Sequence, residues 1–143
     1  MAIKQLTVFI QNKRGTVASV TEILSKNNVN LRALSIAETQ DFGILRIVVN
    51  DNDTAEKVLT ESGYLIKNIN VVGVKIGDEP GQLTSALNTL DYAGINVEYL
   101  YAFMSRTEKH AYVVLRVDEN DEAEAILKNA GFKIITQADI DKL

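Results

Sequence analysis

Apolar and polar residues alternate along Leu6 to Ile10, a pattern typical of a β-strand with one buried face. A short polar loop ending in Gly15 follows the predicted strand. Beyond that glycine, four apolar residues recur at helical spacing: Val17, Val20, Ile23 and Leu24. We expect this helix to end at Asn27-Asn28.

The next part of the chain predicts a hairpin, a second helix and a last strand. Residues 31–39 and 42–50 form the hairpin, and residues 64–67 form a short strand. Between them, Asp53 is the predicted cap of a helix that stops at Gly63. The element order is therefore βαββαβ.

This pattern is written twice. A shift of 66 residues overlays the first half on the second, and a shift of 68 does so later in the chain. The matched pairs include Val8/Val74, Gly15/Gly81, Ser19/Ser85, Asn30/Asn96, Val49/Val117, Asn52-Asp53/Asn120-Asp121 and Gly63/Gly131. The change of shift is a two-residue insertion, which we place at a hairpin tip near residues 106–109. Ordered matches over this length indicate an internal duplication, and we expect a helix cap at Asn120-Asp121 as well.

The βαββαβ order predicts a ferredoxin-like fold of class α+β, with both helices on one face of an antiparallel sheet. The domains are predicted as residues 1–68 and 69–143, and residues 137–143 as a short terminal helix. The helix-covered face of the first unit would carry Leu6, Val8, Ile10, Leu45, Ile47 and Val49.

Composition narrows the function further. The chain has no cysteine and a single histidine, His110, so we predict no metal site and no cofactor. A net charge of −4, with no dense basic cluster, argues against nucleic-acid binding. No apolar run approaches the length of a membrane span, and no secretion signal is evident, so we predict a cytoplasmic protein without membrane association.

The repeated segments resemble the ACT domain family, whose members bind amino acids and regulate amino-acid metabolism. The resemblance rests on residues 77–83 and 93–97, and on residues 11–17 and 28–31 of the first copy. It implies a stand-alone tandem ACT protein that is not an enzyme. Such a protein would bind an amino acid at the interface of its two units and act on an enzyme or regulator in trans. The resemblance also implies that the units join edge to edge through the second strand, giving an eight-stranded sheet.

The loop before the first helix of each unit suits an amino acid. Free N–H groups at a helix N-terminus favour a carboxylate, and glycine permits close approach. Asn12 or Asp78 would supply an oxygen to the ammonium group. The candidate ligand residues are Asn12, Lys13, Arg14, Gly15, Thr16, Val17, Asn30, Leu31, Asp78, Glu79, Pro80, Gly81, Gln82, Leu83, Asn96 and Val97. Among them, residues 78–83 are favoured, since only this loop has the Asp-x-Pro-Gly form typical of the family.

Other interpretations of these residues stay open. The glycines and asparagines also suit plain turns, and Asn12 and Asp78 suit local caps. Tyr99, Tyr101 and Phe103 share one strand face, which predicts a homodimer or inter-unit packing surface, or a wall for a ligand. The alternatives to sensing are a pure assembly module and a small ferredoxin-like enzyme, for which no nucleophile–base set is evident.

Overall fold

The structure is a computed structural model that describes residues 3–104, 109–140 and 142. The strands are β1 (Ile3–Gln11), β2 (Leu31–Glu38), β3 (Phe42–Val49), β4 (Leu65–Gly77), β5 (Val97–Ala102), β6 (His110–Val117) and β7 (Lys133–Ile135). The helices are α1 (Thr16–Lys26), α2 (Asn52–Glu61), α3 (Gln82–Tyr92), α4 (Asn120–Asn129) and α5 (Gln137–Ile140). The order βαββαβ occurs twice, as predicted, with β4 serving as the last strand of the first copy and the first strand of the second, so the described ranges hold seven strands where eight were predicted. Helix α5 confirms a short terminal helix over residues 137–140. The predicted insertion falls mostly on residues 105–108, outside the described residues.

The first compact unit is Lys4–Ile69. In it, β3 pairs antiparallel with β1 on one side and with β2 on the other, with Leu6 and Leu34 both opposite Ile47. Strand β2 carries a bulge between Leu31 and Ala33. This register turns alternate residues of all three strands toward the same face of the sheet.

The core of the first unit lies between that face and the two helices. The strands contribute Leu6, Val8, Ile10, Leu45, Ile47 and Val49, and the helices contribute Val20, Leu24, Ala55 and Leu59. The predicted helix-covered face is therefore confirmed residue by residue. Apolar burial of this kind is the main favourable term in folding.

The second unit comprises Asn70–Leu143 together with Ile3. Its strands pair antiparallel in the order β5-β6-β4-β7, with Val74 opposite both Val113 and Ile134. A bulge lies between Val97 and Tyr99 of β5. The core repeats that of the first unit and includes Val72, Val74, Leu90, Leu115, Leu127 and Ile134.

Strand β4 differs from the prediction. Residues 64–67 were expected to form the last strand of the first copy, separate from the first strand of the second copy. Instead a single strand of 13 residues runs from Leu65 to Gly77. The intervening residues 68–71 contain neither glycine nor proline, so nothing local interrupts the extended backbone.

The predicted caps of α2 and α4 were also wrong. The N-cap of α2 is Asp51, whose carboxylate accepts from the N–H of Thr54 at 3.1 Å, whereas Asp53 lies within the first turn. The N-cap of α4 is Glu119, which makes no side-chain cap hydrogen bond. A cap is defined by the backbone angles of one residue, and sequence patterns locate helix ends only to within one or two residues.

The aromatic residues of the second unit are partly stacked and largely buried. The rings of Tyr99 and Tyr101 are 6.4 Å apart at an interplanar angle of 20°. Tyr101 is 8% exposed and Phe103 is 7% exposed. A single chain therefore already removes most of the surface of these two rings from water.

None of the helices in the described ranges combines the length and apolarity needed to cross a membrane.

Candidate functional site

The loop after β1 is shaped by a glycine in both units. Gly15 precedes α1 with φ +87°, and Gly81 precedes α3 with φ +90°. Residues with a side chain rarely adopt this left-handed conformation, which explains the glycine at each position. Because glycine has no side chain, neither helix start is capped by one.

The N-terminus of α1 consequently keeps free donors. The N–H of Thr16 donates weakly to the carbonyl oxygen of Lys13 at 3.4 Å, and that of Ser19 donates to Gly15 at 3.0 Å. In the described chain the N–H groups of Val17 and Ala18 have no acceptor. Unsatisfied N–H groups with the positive end of a helix dipole attract an anion.

Asn12 fixes this loop to the tip of the β2–β3 hairpin. Its Nδ2 donates to the carbonyl oxygen of Thr39 at 3.0 Å, and its backbone N–H donates to that of Asp41 at 2.9 Å. The amide nitrogen is thereby occupied, while the side-chain oxygen accepts no hydrogen bond from the described residues. The main role of Asn12 is thus to hold the loop against the hairpin, and its side-chain oxygen remains available as an acceptor.

A pocket of about 570 Å³ opens beside this loop, entirely within the first unit. Its wall is made by the end of β1, the loop, the first turn of α1 and the turn after α2. The lining residues are Phe9, Ile10, Gln11, Lys13, Arg14, Gly15, Thr16, Ser19, Ser62, Gly63 and Tyr64. Four of the predicted ligand residues, 13–16, therefore come together in one cavity.

Tyr64 enters this pocket because of the way α2 ends. The helix stops at Glu61, Gly63 takes φ +93°, and the N–H of Tyr64 donates back to the carbonyl oxygen of Leu59 at 3.1 Å. This hydrogen bond reverses the chain direction at the helix C-terminus. The Tyr64 hydroxyl then lies 3.4 Å from the hydroxyl of Ser19 on α1.

The turn after α2 was not predicted as part of a site. Ser62 and Tyr64 are far from the loop in sequence, and the predicted fold alone did not single them out. Comparison of the two copies contains the missing signal, since Ser62 is matched by Ala130 and Tyr64 by Phe132. Hydroxyl groups confined to one copy suggest a role that the other copy lacks.

The remaining predicted residues of the first copy lie elsewhere in the unit. Asn30 is at the opposite end of α1, about 16 Å away along an 11-residue helix. Its N–H donates to Oδ1 of Asn50 at 2.8 Å, which joins the ends of β2 and β3. Val17 and Leu31 pack against the core of the first unit. Within their own unit, Asn30 and Leu31 are therefore not part of the pocket, and a role for them in ligand binding stays a prediction.

The loop of the second unit has different surroundings. Asp78 donates its N–H to the carbonyl oxygen of Lys109 at 3.3 Å, and residues 78–81 are all exposed. The side chain of Gln82 covers Gly77, with its Cγ and Cδ 3.1 Å from the position of a β-carbon there. Leu83 and Val97 pack against the core of this unit, and Asn96 is exposed. In the loop favoured from the sequence, the side chain of the first helical residue therefore lies over the end of β4.

Among the described residues, two carboxyl groups have shifted pKa values, and both accept hydrogen bonds at the start of a helix. Hydrogen bonds from the side chain and backbone of Thr54 lower the pKa of Asp51. Hydrogen bonds from the backbone and side chain of Thr136 lower the pKa of Asp139. Neither lines the pocket, so these shifts concern stability rather than binding.

The family model of the ACT domain pair matches residues 1–143. The chain belongs to the ACT domain pair family. The resemblance noted from the repeated loops is thereby confirmed. No protein of curated function matches the chain in sequence.

Several solved structures share the fold of this chain. A protein from Bacteroides thetaiotaomicron is 39% identical, and the match covers 100% of this chain and 98% of that one with a TM-score of 0.93. The ligand-free regulatory subunit of aspartate kinase from Thermus thermophilus is 14% identical over 91% of this chain and 93% of that one, with a TM-score of 0.66. The corresponding subunit from Thermus flavus is 18% identical over 90% of each chain, with a TM-score of 0.59. At these lower identities the last two similarities establish a common fold.

Proposed function

We propose that this ACT domain pair is a non-catalytic regulatory protein that senses an amino acid through the loops preceding α1 and α3. In this proposal residues 1–68 and 69–143 are each one ACT module. The observation that carries it is the pocket beside residues 13–16, where an uncapped helix start and two exposed cations face an open cavity. Regulatory subunits of aspartate kinase have the same fold, which supports a regulatory role.

The groups around the loop match both ends of an amino acid. The α-carboxylate would bind the free N–H groups of Val17 and Ala18 at the start of α1. The α-ammonium would bind an oxygen, for which Oδ1 of Asn12 is available beside the loop. The equivalent groups of the second unit are the N-terminus of α3 and the Asp78 carboxylate.

A purely binding role fits the composition of the pocket. Its lining offers hydroxyl groups and cations, but among the described residues it includes no histidine and no carboxylate. Activation of a serine or tyrosine hydroxyl as a nucleophile requires an adjacent base. His110, the only histidine of the chain, begins β6 in the second unit and does not line this pocket.

The signal would pass to an enzyme or regulator of amino-acid metabolism in trans. A ligand does this by favouring one conformation or assembly over another, limited by its difference in affinity for the two. We further propose a homodimer that uses the face of Tyr99, Tyr101 and Phe103, of which Tyr99 is the half-buried member. Light scattering coupled to size exclusion measures the dimer, and Tyr99→Ser should shift the protein toward monomer.

Thermal denaturation with each of the twenty amino acids tests the sensing role. We expect one or a few of them to raise the melting temperature, with heat of binding in calorimetry. Gly15→Val and Gly81→Val are a matched pair of variants, because both glycines have left-handed angles and open space around the α-carbon. Loss of the shift in one variant alone identifies the loop that binds. Twenty amino acids without a shift or heat would refute the proposal.

A further inference from the structure

The polar groups of the first-unit pocket are absent from the equivalent positions of the second unit. Aligning the two copies replaces Lys13 by Glu79, Arg14 by Pro80, Thr16 by Gln82, Ser62 by Ala130 and Tyr64 by Phe132. The positions that keep their residue type are Ile10, Gly15, Ser19 and Gly63. Of these, Ile10 belongs to the core, and Gly15 and Gly63 form turns with positive φ. Both copies have therefore kept the core and turn residues around this position, but only the first copy has the charged and hydroxyl side chains of the pocket.

The charge of this pocket is positive. Lys13 and Arg14 are exposed, and neither forms an ion pair with any described residue. No Asp or Glu is among the described residues that line the cavity. A guanidinium group binds a carboxylate or phosphate through two parallel hydrogen bonds, and an ammonium group adds a mobile point charge. Two cations on one short loop, neither of them paired within the described ranges, favour a ligand with more than one negative charge.

Neutral donors surround the same space. The Tyr64 hydroxyl donates to Oγ of Ser19 at 3.4 Å, and the Ser19 hydroxyl donates to no other described residue, whereas the Ser62 hydroxyl donates to the carbonyl oxygen of Val58 at 2.8 Å. Thr16 also lines the cavity, and its Oγ1 is buried without a hydrogen-bond partner among the described residues. A buried polar atom without a partner is costly, and this cost falls if a ligand or water supplies one.

The size of the cavity suits a small metabolite. Its volume of about 570 Å³ lies within the range of roughly 300–1,000 Å³ found for small-molecule sites. In the second unit, the side chain of Gln82 lies over Gly77, and an acidic residue, Glu79, replaces the first cation. That loop would repel a polyanion and offers it less room.

We propose that the first-unit pocket is a binding site for a small dianion, either a dicarboxylate or a phosphate monoester, with one site per chain. This inference rests on the proposed sensing role and identifies the ligand class of that role. Lys13 and Arg14 bind the charged oxygens of the ligand, and the Ser19 hydroxyl, which accepts a hydrogen bond from Tyr64, donates to them. The second unit keeps the fold but not this site.

Calorimetric titration of the full chain tests the ligand class. The probes are L-glutamate and L-aspartate, their neutral analogues L-glutamine and L-asparagine, succinate, and O-phospho-L-serine with inorganic phosphate. We expect one molecule bound per chain, a neutral analogue that binds at least about tenfold more weakly, and an affinity that falls as salt rises. Comparison of the carboxylate and phosphate probes decides between the two kinds of dianion.

Matched variants test the residues. Lys13→Gln and Arg14→Gln should each weaken binding at least about tenfold. Tyr64→Phe should weaken it less and is compatible with folding, because phenylalanine occupies the equivalent position of the second unit. Lys128→Gln, which removes an exposed cation of α4 outside the pocket, is the control and should leave the affinity unchanged. Circular dichroism verifies that each variant is folded.

Several outcomes would overturn the inference. These are equal binding of a dianion and its neutral analogue, two equivalent sites per chain, or full affinity in both cation variants. An amino acid that binds without preference for charge would refute this inference and leave the sensing role intact. Binding of succinate or phosphate without any amino acid would support the pocket and refute amino-acid sensing. No heat with any probe would refute the dianion site.

Discussion

The side chain of Gln82 lies over the α-carbon of Gly77, where a β-carbon would come within 3.1 Å of it. The first unit has the reverse arrangement, with glutamine at residue 11 on the strand and the smaller Thr16 at the helix start. Both Gln11 and Thr16 line the open pocket. The exchange of a large and a small residue between two facing positions thus distinguishes the two loops.

This relationship predicts a way to close the pocket. In the double variant Gln11→Gly/Thr16→Gln, the new glutamine should lie over residue 11, as Gln82 lies over Gly77, and fill part of the cavity. We expect ligand binding to weaken at least about tenfold in calorimetry, and the free energy of unfolding to fall by only about 0.5–1 kcal/mol. Gln11→Gly alone leaves Thr16 in place and serves as the control. A double variant that binds as tightly as the native protein would contradict the interpretation.

The left-handed backbone at Gly15 predicts a graded effect of substitution. No atom lies within 4 Å of a β-carbon at this position, so the cost is conformational and not steric. Gly15→Val should lower the free energy of unfolding by about 1–2 kcal/mol, and Gly15→Asn by less, because asparagine tolerates this conformation. Urea unfolding measures both. Equal losses for the two variants would mean that something other than the backbone angle requires glycine.

The cap of α2 predicts a pH dependence. The Asp51 carboxylate accepts hydrogen bonds from the N–H and hydroxyl of Thr54 at 3.1 and 2.6 Å, which lower its pKa in the folded state. A lowered pKa stabilises the fold above the unfolded-state pKa of about 3.9, and the effect disappears as pH falls through the folded-state value. Asp51→Ala should therefore lower the melting temperature by a few degrees at pH 7, and the difference from the native protein should shrink below about pH 4.

The control for this cap is Asp53→Ala. Asp53 was the cap predicted from the sequence, yet it lies within the first turn of α2. Its removal leaves both hydrogen bonds to Thr54 in place, so thermal denaturation should keep the native dependence on pH. Glu119→Asp, at the equivalent cap of α4 that lacks such a bond, should raise the melting temperature. A pH-independent difference for Asp51→Ala would refute the assignment.

The close approach at Gly73 predicts a strong effect in the second unit. A β-carbon at this position would collide with the side chain of Ile3, which is fully buried, and would lie 3.3 Å from the β-carbon of Ile135. Gly73→Ala should cost about 1–3 kcal/mol because the core cannot expand freely. Gly77→Ala meets only the side chain of half-buried Gln82, so its cost in urea unfolding should be smaller.

The sequence predicted the parts of the fold that depend on regular patterns. Period-two alternation correctly assigned residues such as Val8 and Ile47 to the helix-covered face. The cap at Asp51 was missed because a cap depends on the backbone angles of one residue. The prediction divided the continuous strand β4 into two, because each of the two repeats was expected to have its own strand where they join.

Only the part of the candidate site that forms a local sequence motif was predicted. Residues 13–16 form a local motif between a strand and a helix, so their loop is visible in the sequence. Tyr64 reaches the same cavity only because α2 ends with a reversal of the chain, a three-dimensional relationship across nearly fifty residues. Aligning the copies position by position around Gly63 and Gly131 would have drawn attention to it.

The bulges of β2 and β5 bear on the history of the chain. They interrupt pairing at Leu31/Ala33 and at Val97/Tyr99, which are equivalent positions of the two copies. The simplest explanation is that the ancestral single module already had this bulge before its gene was duplicated. Lys13, Arg14 and Tyr64 occur in one copy alone, so the two loops diverged after that event. The backbone irregularity is in this sense older than the difference in binding chemistry.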